Sequence, residues 1–341
     1  MATMPRVPPR VLPRVHILGT GGSISGIGPH RLDYTLYPEL GKKLTVAQML
    51  ERIPEARELA ELSGEDVLKV GSPSIGPKEW LQLAARVHAL FEGDETKGIV
   101  ITHGTATLEE TAYFLHLTVK SERPVVVTGA MRPPTAVGTD ADLNLLDAIR
   151  LAAAPEAAGR GVLTILNNEI QSAREVTKSN AFRVDTFDSR DFGILGYVDS
   201  DARVLFYRSV TRPHTTATAF DVRGRKDLPR VDIVYAYAGA DGVLVDALTA
   251  SRPDGMVLVG FGGGSYPAAF LDAGKRAAQA GIPVVLATRS WNGRVITTPR
   301  LESAGFVVCD DLMPQKARVL LMLALTVTRE PKAIQEMFYK Y

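Results

Sequence analysis

What this sequence lacks narrows it first. It has a single cysteine, Cys309, in 341 residues, so no intrachain disulfide is available. That cysteine closes the apolar run Gly305-Phe306-Val307-Val308 before Asp310, the setting of a buried strand-end thiol rather than a nucleophile. The six histidines are scattered, and no Cys/His cluster carries metal-ligand spacing. No apolar stretch reaches the length of a membrane span. Residues 1–14 hold Pro and Arg without an apolar h-region, so no secretory signal is read and the cytoplasm is the default location. Excess charge is absent too, with 39 Lys+Arg against 38 Asp+Glu. With no basic run interleaved with aromatics, nothing points to nucleic acid or to an anionic membrane as partner.

What is present suits a globular protein with a substantial core: 45% of residues are apolar and 23% charged. The length favours two domains. Apolar runs at 14–18, 66–70, 98–102, 124–128 and 161–166 read as strands, and helical spacing recurs at 45–52, 77–91, 108–120 and 143–153. This β-α alternation predicts an α/β fold, with a larger N-terminal, flavodoxin-like parallel-sheet domain over 1–208. The rhythm breaks after Gln171, and the polar, turn-rich stretch 209–230 reads as a linker. It resumes with strands at 231–237, 256–259 and 283–287, giving a smaller C-terminal α/β domain over 231–341.

Chemistry concentrates at strand-to-loop turns. The stretch Thr102-His103-Gly104-Thr105-Ala106-Thr107 follows a buried strand and precedes a helix. Thr107 with Glu110 three residues on predicts a capping box. Thr105 would then present its hydroxyl beyond the carboxyl end of a parallel strand, where open α/β sheets keep ligands. His103 reads as structural, its ring holding the turn. A second hydroxyl lies in Thr20-Gly21-Gly22-Ser23-Ile24, although Gly-Gly turns are common and the Gly-Lys-Ser/Thr ending of a phosphate loop is missing. The long loop 24–41 carries Tyr34 and Tyr37, and loops of that length in compact domains are usually functional or mobile. Lys178 follows the 161–166 strand by a short polar stretch. Buried beside a hydroxyl, such a lysine is a base; taken by position alone it reads as solvated.

Together these segments resemble the bacterial-type L-asparaginase/glutaminase family from about Val15 to Tyr341. The matching motifs are TGGSI at 20–24, ITHGTATLEETAYFL at 101–115, VVVTGAMRP at 125–133, VTK at 176–178 and PQKARVL at 314–320. The resemblance implies a large N-terminal and a small C-terminal α/β domain. It implies a homotetramer, a dimer of intimate dimers with each active site between two subunits, and neither cofactor nor metal. It places Ser23 at the nucleophilic threonine and Tyr34 at the mobile-loop tyrosine that assists it. Ser72 falls on the serine gripping the substrate α-carboxylate, Thr105 and Lys178 on the second threonine and its lysine, and Ser265 where a neighbouring subunit offers asparagine. Gly22, Gly104 and Ala106 complete the expected substrate-binding set. Backbone N–H groups near Thr105 and Ala106 would hold the oxyanion, and Thr105 with Lys178 would activate water.

Two departures bear on substrate. Serine replaces threonine at position 23, and Ala106 stands where the family has the aspartate that holds the substrate ammonium. No glutamate stands near Thr298 to pair with the tyrosine; Glu302 is out of register. Three readings stay open: hydrolysis of L-asparagine with a relaxed amino pocket, the same amide chemistry (or ester chemistry) on a substrate without a free ammonium, and a binding scaffold inactivated at Ala106. Retention of hydroxyls at 23, 34 and 105 and of the amine at 178 argues against the third.

Overall fold

The computed structural model describes residues 11–93 and 95–341. Most of the N-terminal stretch read as lacking a signal lies outside the described residues. Two α/β domains are built on separate sheets. The first uses β1 (Arg14–Gly21), β2 (Glu61–Val70), β3 (Thr96–Thr102), β4 (Val125–Thr128), β5 (Val162–Leu166), β6 (Glu169–Ser172), β9 (Gly196–Val198) and β10 (Val204–Phe206). Their spatial order is β10-β9-β6-β5-β4-β3-β1-β2. A small ribbon pairs β7 (Thr177–Lys178) with β8 (Phe187–Asp188).

Strands β2, β1, β3, β4 and β5 are parallel neighbours, which is the flavodoxin-like order 2-1-3-4-5. The sheet is nonetheless mixed rather than wholly parallel, because β6, β9 and β10 extend it antiparallel. The reversal at β5–β6 is a two-residue hairpin through Asn167 and Asn168, both at positive φ; asparagine tolerates that region better than most residues.

Both sheet faces are covered, so the central strands carry continuous apolar runs. On one face Ile17, Val100, Val126 and Leu163 pack with side chains of α2 (Val46–Glu51) and α5 (Ala141–Ala153). On the other, Leu18, Ile99, Ile101 and Val127 pack with α3 (Pro77–Glu92) and α4 (Leu108–Thr118). A short helix, α1 (Tyr37–Leu40), interrupts the long loop after β1.

The second sheet is β11 (Val231–Tyr235), β12 (Gly255–Gly260), β13 (Val284–Thr288) and β14 (Phe306–Val308), parallel and in that order. Helices α6 (Val243–Ala250), α7 (Ala268–Gln279), α8 (Pro299–Ser303), α9 (Pro314–Ala324) and α10 (Pro331–Lys340) complete it. Cys309, just past β14, is fully buried, and burial pushes its thiol up to about 12. No helix among the described residues is long and apolar enough to cross a membrane.

The two sheets share one apolar cluster, with α9 buried between them. Polar ties cross the same junction. Arg174, after β6, forms a buried bidentate pair with Asp311 at 2.8 and 2.7 Å and donates from Nε to the Tyr341 carbonyl at 2.6 Å. Lys316 of α9 is fully buried and donates to the carbonyls of Ala173, Arg174 and Val176. Burial pushes its ammonium down to about 7. These bonds anchor the segment leading into β7, and hence Lys178, from the other domain.

Candidate active site

The register brings the carboxyl ends of three strands level. Gly19 pairs with Thr102, and Thr102 with Thr128. The chain leaves β1 towards β2 on one side, while β3 lies on the other, so the loops after β1 and β3 diverge at a switch point, where such sheets form a crevice. Ser23 and Thr105 stand on those two loops. Thr20 Oγ1 ties them at the root by donating to the Thr102 carbonyl at 2.8 Å.

Glycine is required where the loops touch. Gly22 has φ 81°, and a Cβ there would lie 2.3 Å from Gly104 Cα. A Cβ on Gly104 would in turn fall 2.7 Å from Ser72 Oγ. The expected residues Gly22, Gly104 and Ser72 are therefore packed together. Thr107 serves a different purpose from the capping box expected of it: its side chain makes no cap, and its hydroxyl donates to the Ser72 carbonyl at 2.8 Å. Glu110 turns instead towards Arg318, 3.8 Å away. Burial pushes its carboxyl up to about 7 against the pull of Arg318.

Ser23 is buried and donates to the Ala130 carbonyl at 2.5 Å. Thr105 is equally buried, and Lys178 Nζ donates to its Oγ1 at 2.7 Å. Lys178 is a half-buried residue of the β7–β8 ribbon rather than a solvated surface lysine. Burial pushes its pKa down, and the charge of Glu109 pulls partly back. His103 is fully buried, with Nδ1 2.8 Å from the Gly104 carbonyl. Burial pushes its imidazole down to about 4, so at neutral pH it is uncharged and holds the turn as a neutral donor.

The two tyrosines of the loop sit in different surroundings. Tyr34 is 38% exposed, and its hydroxyl donates to the Val137 carbonyl at 3.0 Å while Arg132 stacks on its ring. No hydrogen bond among the described residues joins either tyrosine to Ser23; burial raises the pKa of the Tyr37 phenol, and the Ser23 side chain pulls it the other way. The Tyr37 ring lies so close to Gly26 that a Cβ there would sit 2.7 Å from Cδ2. Asp33 sets this arrangement, its buried carboxylate accepting from the amides of Leu36 at 2.8 Å and Tyr37 at 2.9 Å. Desolvation opposes ionisation of Asp33, but the amides of Leu36, Thr35 and Tyr37 outweigh it and hold the carboxyl below its ordinary range. Asp33 is thus the residue that gathers the amides of the chain entering α1 and so fixes where the Tyr37 ring lies.

Glu109 was also missed. It is buried, accepts from Gln315 Nε2 at 3.1 Å, and has Oε2 without a partner among the described residues. It is the acid that acts on Lys178. Ala106 is exposed and brings no carboxylate to this mouth. Ser265 lies in the exposed turn 261–265 after β12, paired with the Phe261 backbone and not bonded to this cluster.

Two juxtaposed hydroxyl loops at a switch point, one hydroxyl bonded to a lysine, can now be set beside known proteins. The family model for the asparaginase N-terminal domain matches residues 14–212, and that for the glutaminase/asparaginase C-terminal domain matches 230–338. The chain belongs to the asparaginase family. L-asparaginase 2 of Bacillus subtilis (strain 168) is 43% identical over 330 residues, covering 97% of this chain and 87% of that protein. L-asparaginase 2 of Escherichia coli (strain K12) is 41% identical over 334 residues, covering 97% and 94%. The crystal structure of a probable cytoplasmic L-asparaginase from Campylobacter jejuni superposes with a TM-score of 0.93 at 42% identity, covering 96% of this chain and all of that one. As a member of this family the protein is an amidohydrolase, and the family supports a small amide as its substrate.

Proposed function

We propose that the protein hydrolyses the side-chain carboxamide of L-asparagine, or of a close analogue, to the acid and ammonia through an acyl-enzyme. The observation that carries this reading is the placement of two buried hydroxyls, Ser23 and Thr105, on the two loops at the switch point, with Lys178 bonded to Thr105 at 2.7 Å. Ser23 Oγ attacks the amide carbon. Its proton passes to Tyr37, which as a neutral phenol releases its own towards the leaving nitrogen, and ammonia departs. Backbone amides at Thr105 and Ala106, on the turn entering α4, hold the oxyanion. Thr105, polarised by Lys178, then activates the water that cleaves the ester, and the Ser23 hydroxyl is restored. A lysine whose pKa is lowered by burial is better suited to accept a proton near neutrality.

The same reading places the protein in the cytoplasm as a homotetramer whose sites are shared between subunits. This accords with Ser265, exposed and away from the cluster within its own chain. The decisive experiment is ammonia release from L-asparagine, D-asparagine, L-glutamine and N-acetyl-asparagine, with Ser23→Ala and Thr105→Val as controls. Turnover of an amide, lost by at least a hundredfold in both variants without unfolding, is expected. Near-full activity in either variant overturns the assignment of these hydroxyls. Turnover of none of these amides by the parent chain overturns the function.

A further inference from the structure

The bond between Lys178 and Thr105 joins two segments that lie outside both main sheets. Thr105 stands on the turn between β3 and α4, and Lys178 belongs to the separate β7–β8 ribbon. Helix α9 of the second domain reaches both. Gln315 Nε2 donates at 3.1 Å to Oε1 of Glu109, which lies in the first turn of α4, one helical turn along the chain from Thr105. The next residue, Lys316, donates to the Ala173 carbonyl at 2.9 Å, to the Arg174 carbonyl at 2.8 Å and to the carbonyl of Val176, just ahead of Lys178. A closed circuit results. It runs from Thr105 along the chain to Glu109, across to Gln315 and Lys316, across again to Val176, and along the chain to Lys178, whose Nζ returns to Thr105 at 2.7 Å.

Both crossings lie where water has little access, since Glu109, Lys316 and Val176 are all buried. A buried polar group that loses its partner is costly, so such contacts persist. Glu109 has no slack: its Oε2 is without a partner among the described residues, and loss of Gln315 would strip Oε1 as well. The charge of Glu109 also acts on both lysines of the circuit, Lys178 and Lys316. Adjacent residues of one helical turn keep a fixed separation. By holding the α4 turn with one and the segment before β7 with the next, α9 sets the distance across which Lys178 meets Thr105.

We propose that Gln315 and Lys316 are positioning residues, through which the second domain holds Thr105 against Lys178 for the step in which water cleaves the acyl-enzyme. The catalytic consequence rests on the amidohydrolase reading, whereas the contact is read without turnover. Acetylation of the whole protein by dilute acetic anhydride, followed at each lysine by mass spectrometry, reads it. Lys97, exposed on β3, calibrates the reagent. Lys120, held by Thr215 and Thr218 beyond the other end of α4, reports general loosening. Gln315→Leu is expected to quicken labelling of Lys178 relative to Lys97 by about fivefold or more, the scale of one lost hydrogen bond to a charged group, with Lys120 unchanged. Lys178 unchanged, or Lys178 and Lys120 rising together, overturns the inference. Lys316→Met should act alike through the other crossing; if it does not fold, Gln315→Leu decides. Ammonia release from the best amide substrate tests the consequence. Slowing only the second step lowers kcat and KM together and spares kcat/KM, and the acyl-enzyme accumulates behind a burst of ammonia. Gln315→Leu is expected to show that pattern. An unchanged kcat, or a lower kcat at constant KM, the mark of a reduced active fraction, overturns the positioning role. A parent chain that turns over no amide counts against the function alone, because the labelling result stands without it.

Discussion

Replacing each loop tyrosine by phenylalanine separates two readings of one motif. In Tyr37→Phe the ring still packs over Gly26, and the loss is a phenol whose pKa the Ser23 side chain lowers. If that hydroxyl carries the nucleophile's proton, its removal costs the contribution of a positioned acid–base group, roughly 100- to 10,000-fold in kcat/KM. That corresponds to about 3–5 kcal/mol of transition-state stabilisation. In Tyr34→Phe the loss is one hydrogen bond to the Val137 carbonyl on a half-exposed side chain, and the ring remains for Arg132 to stack on. Such a bond contributes about 0.5–1.5 kcal/mol net, so even if all of it held the loop closed, activity would fall by about tenfold at most. The assay is ammonia release from the best amide substrate under kcat/KM conditions, with thermal unfolding to show that both variants are folded. The rank order decides: a loss beyond a hundredfold in Tyr34→Phe, with Tyr37→Phe within tenfold of the parent, would refute the assignment.

Two further predictions concern stability. Arg174→Met leaves Asp311 buried, with Arg190 and Arg212 only at 3.7 Å, and stranding a buried charge costs about 3–5 kcal/mol. Urea denaturation should show that loss, and less than about 1 kcal/mol would mean the remaining arginines suffice. Glu110, pushed up to about 7 by burial, is more readily protonated in the folded than in the unfolded chain. Its stabilising contribution is complete below the unfolded value near 4.5 and is lost as pH rises through about 7. Glu110→Gln should therefore gain on the parent across that window, by about 3 kcal/mol from the size of the shift. A constant difference from pH 4.5 to 7.5 in denaturation midpoints would contradict the burial argument.

The local patterns sufficed for the parallel strands and for two hydroxyls of the site. Continuous apolar runs between turn residues located β1, β3, β4, β5 and β12, because strands buried on both faces need no polar alternation. The hydroxyls of Ser23 and Thr105 were legible because strand-end turns with small residues are where such sheets expose chemistry. Other features were not legible, each for a physical reason. The antiparallel extension of the first sheet depends on an Asn-Asn turn whose positive φ is a weak local preference. The role of Thr107 went to Ser72, 35 positions away, because packing of Gly22 against Gly104 brought that carbonyl within reach. Lys178 reads as solvated from position alone, and it is the ribbon with β8 that half-buries it against Thr105.

What the sequence by itself determined is therefore the parallel strands of the two sheets with their helices, the glycines that let the two loops touch, and the missing acid at Ala106. These follow from backbone sterics, burial periodicity and residue identity, which act over a few positions. Tertiary structure alone decided that Lys178 meets Thr105, which acid acts on Lys178, and that Ser72 packs against Gly104. Those facts depend on directions of side chains from segments far apart in the chain. Such directions are set only when the sheet register and the packing of the two domains are both in place.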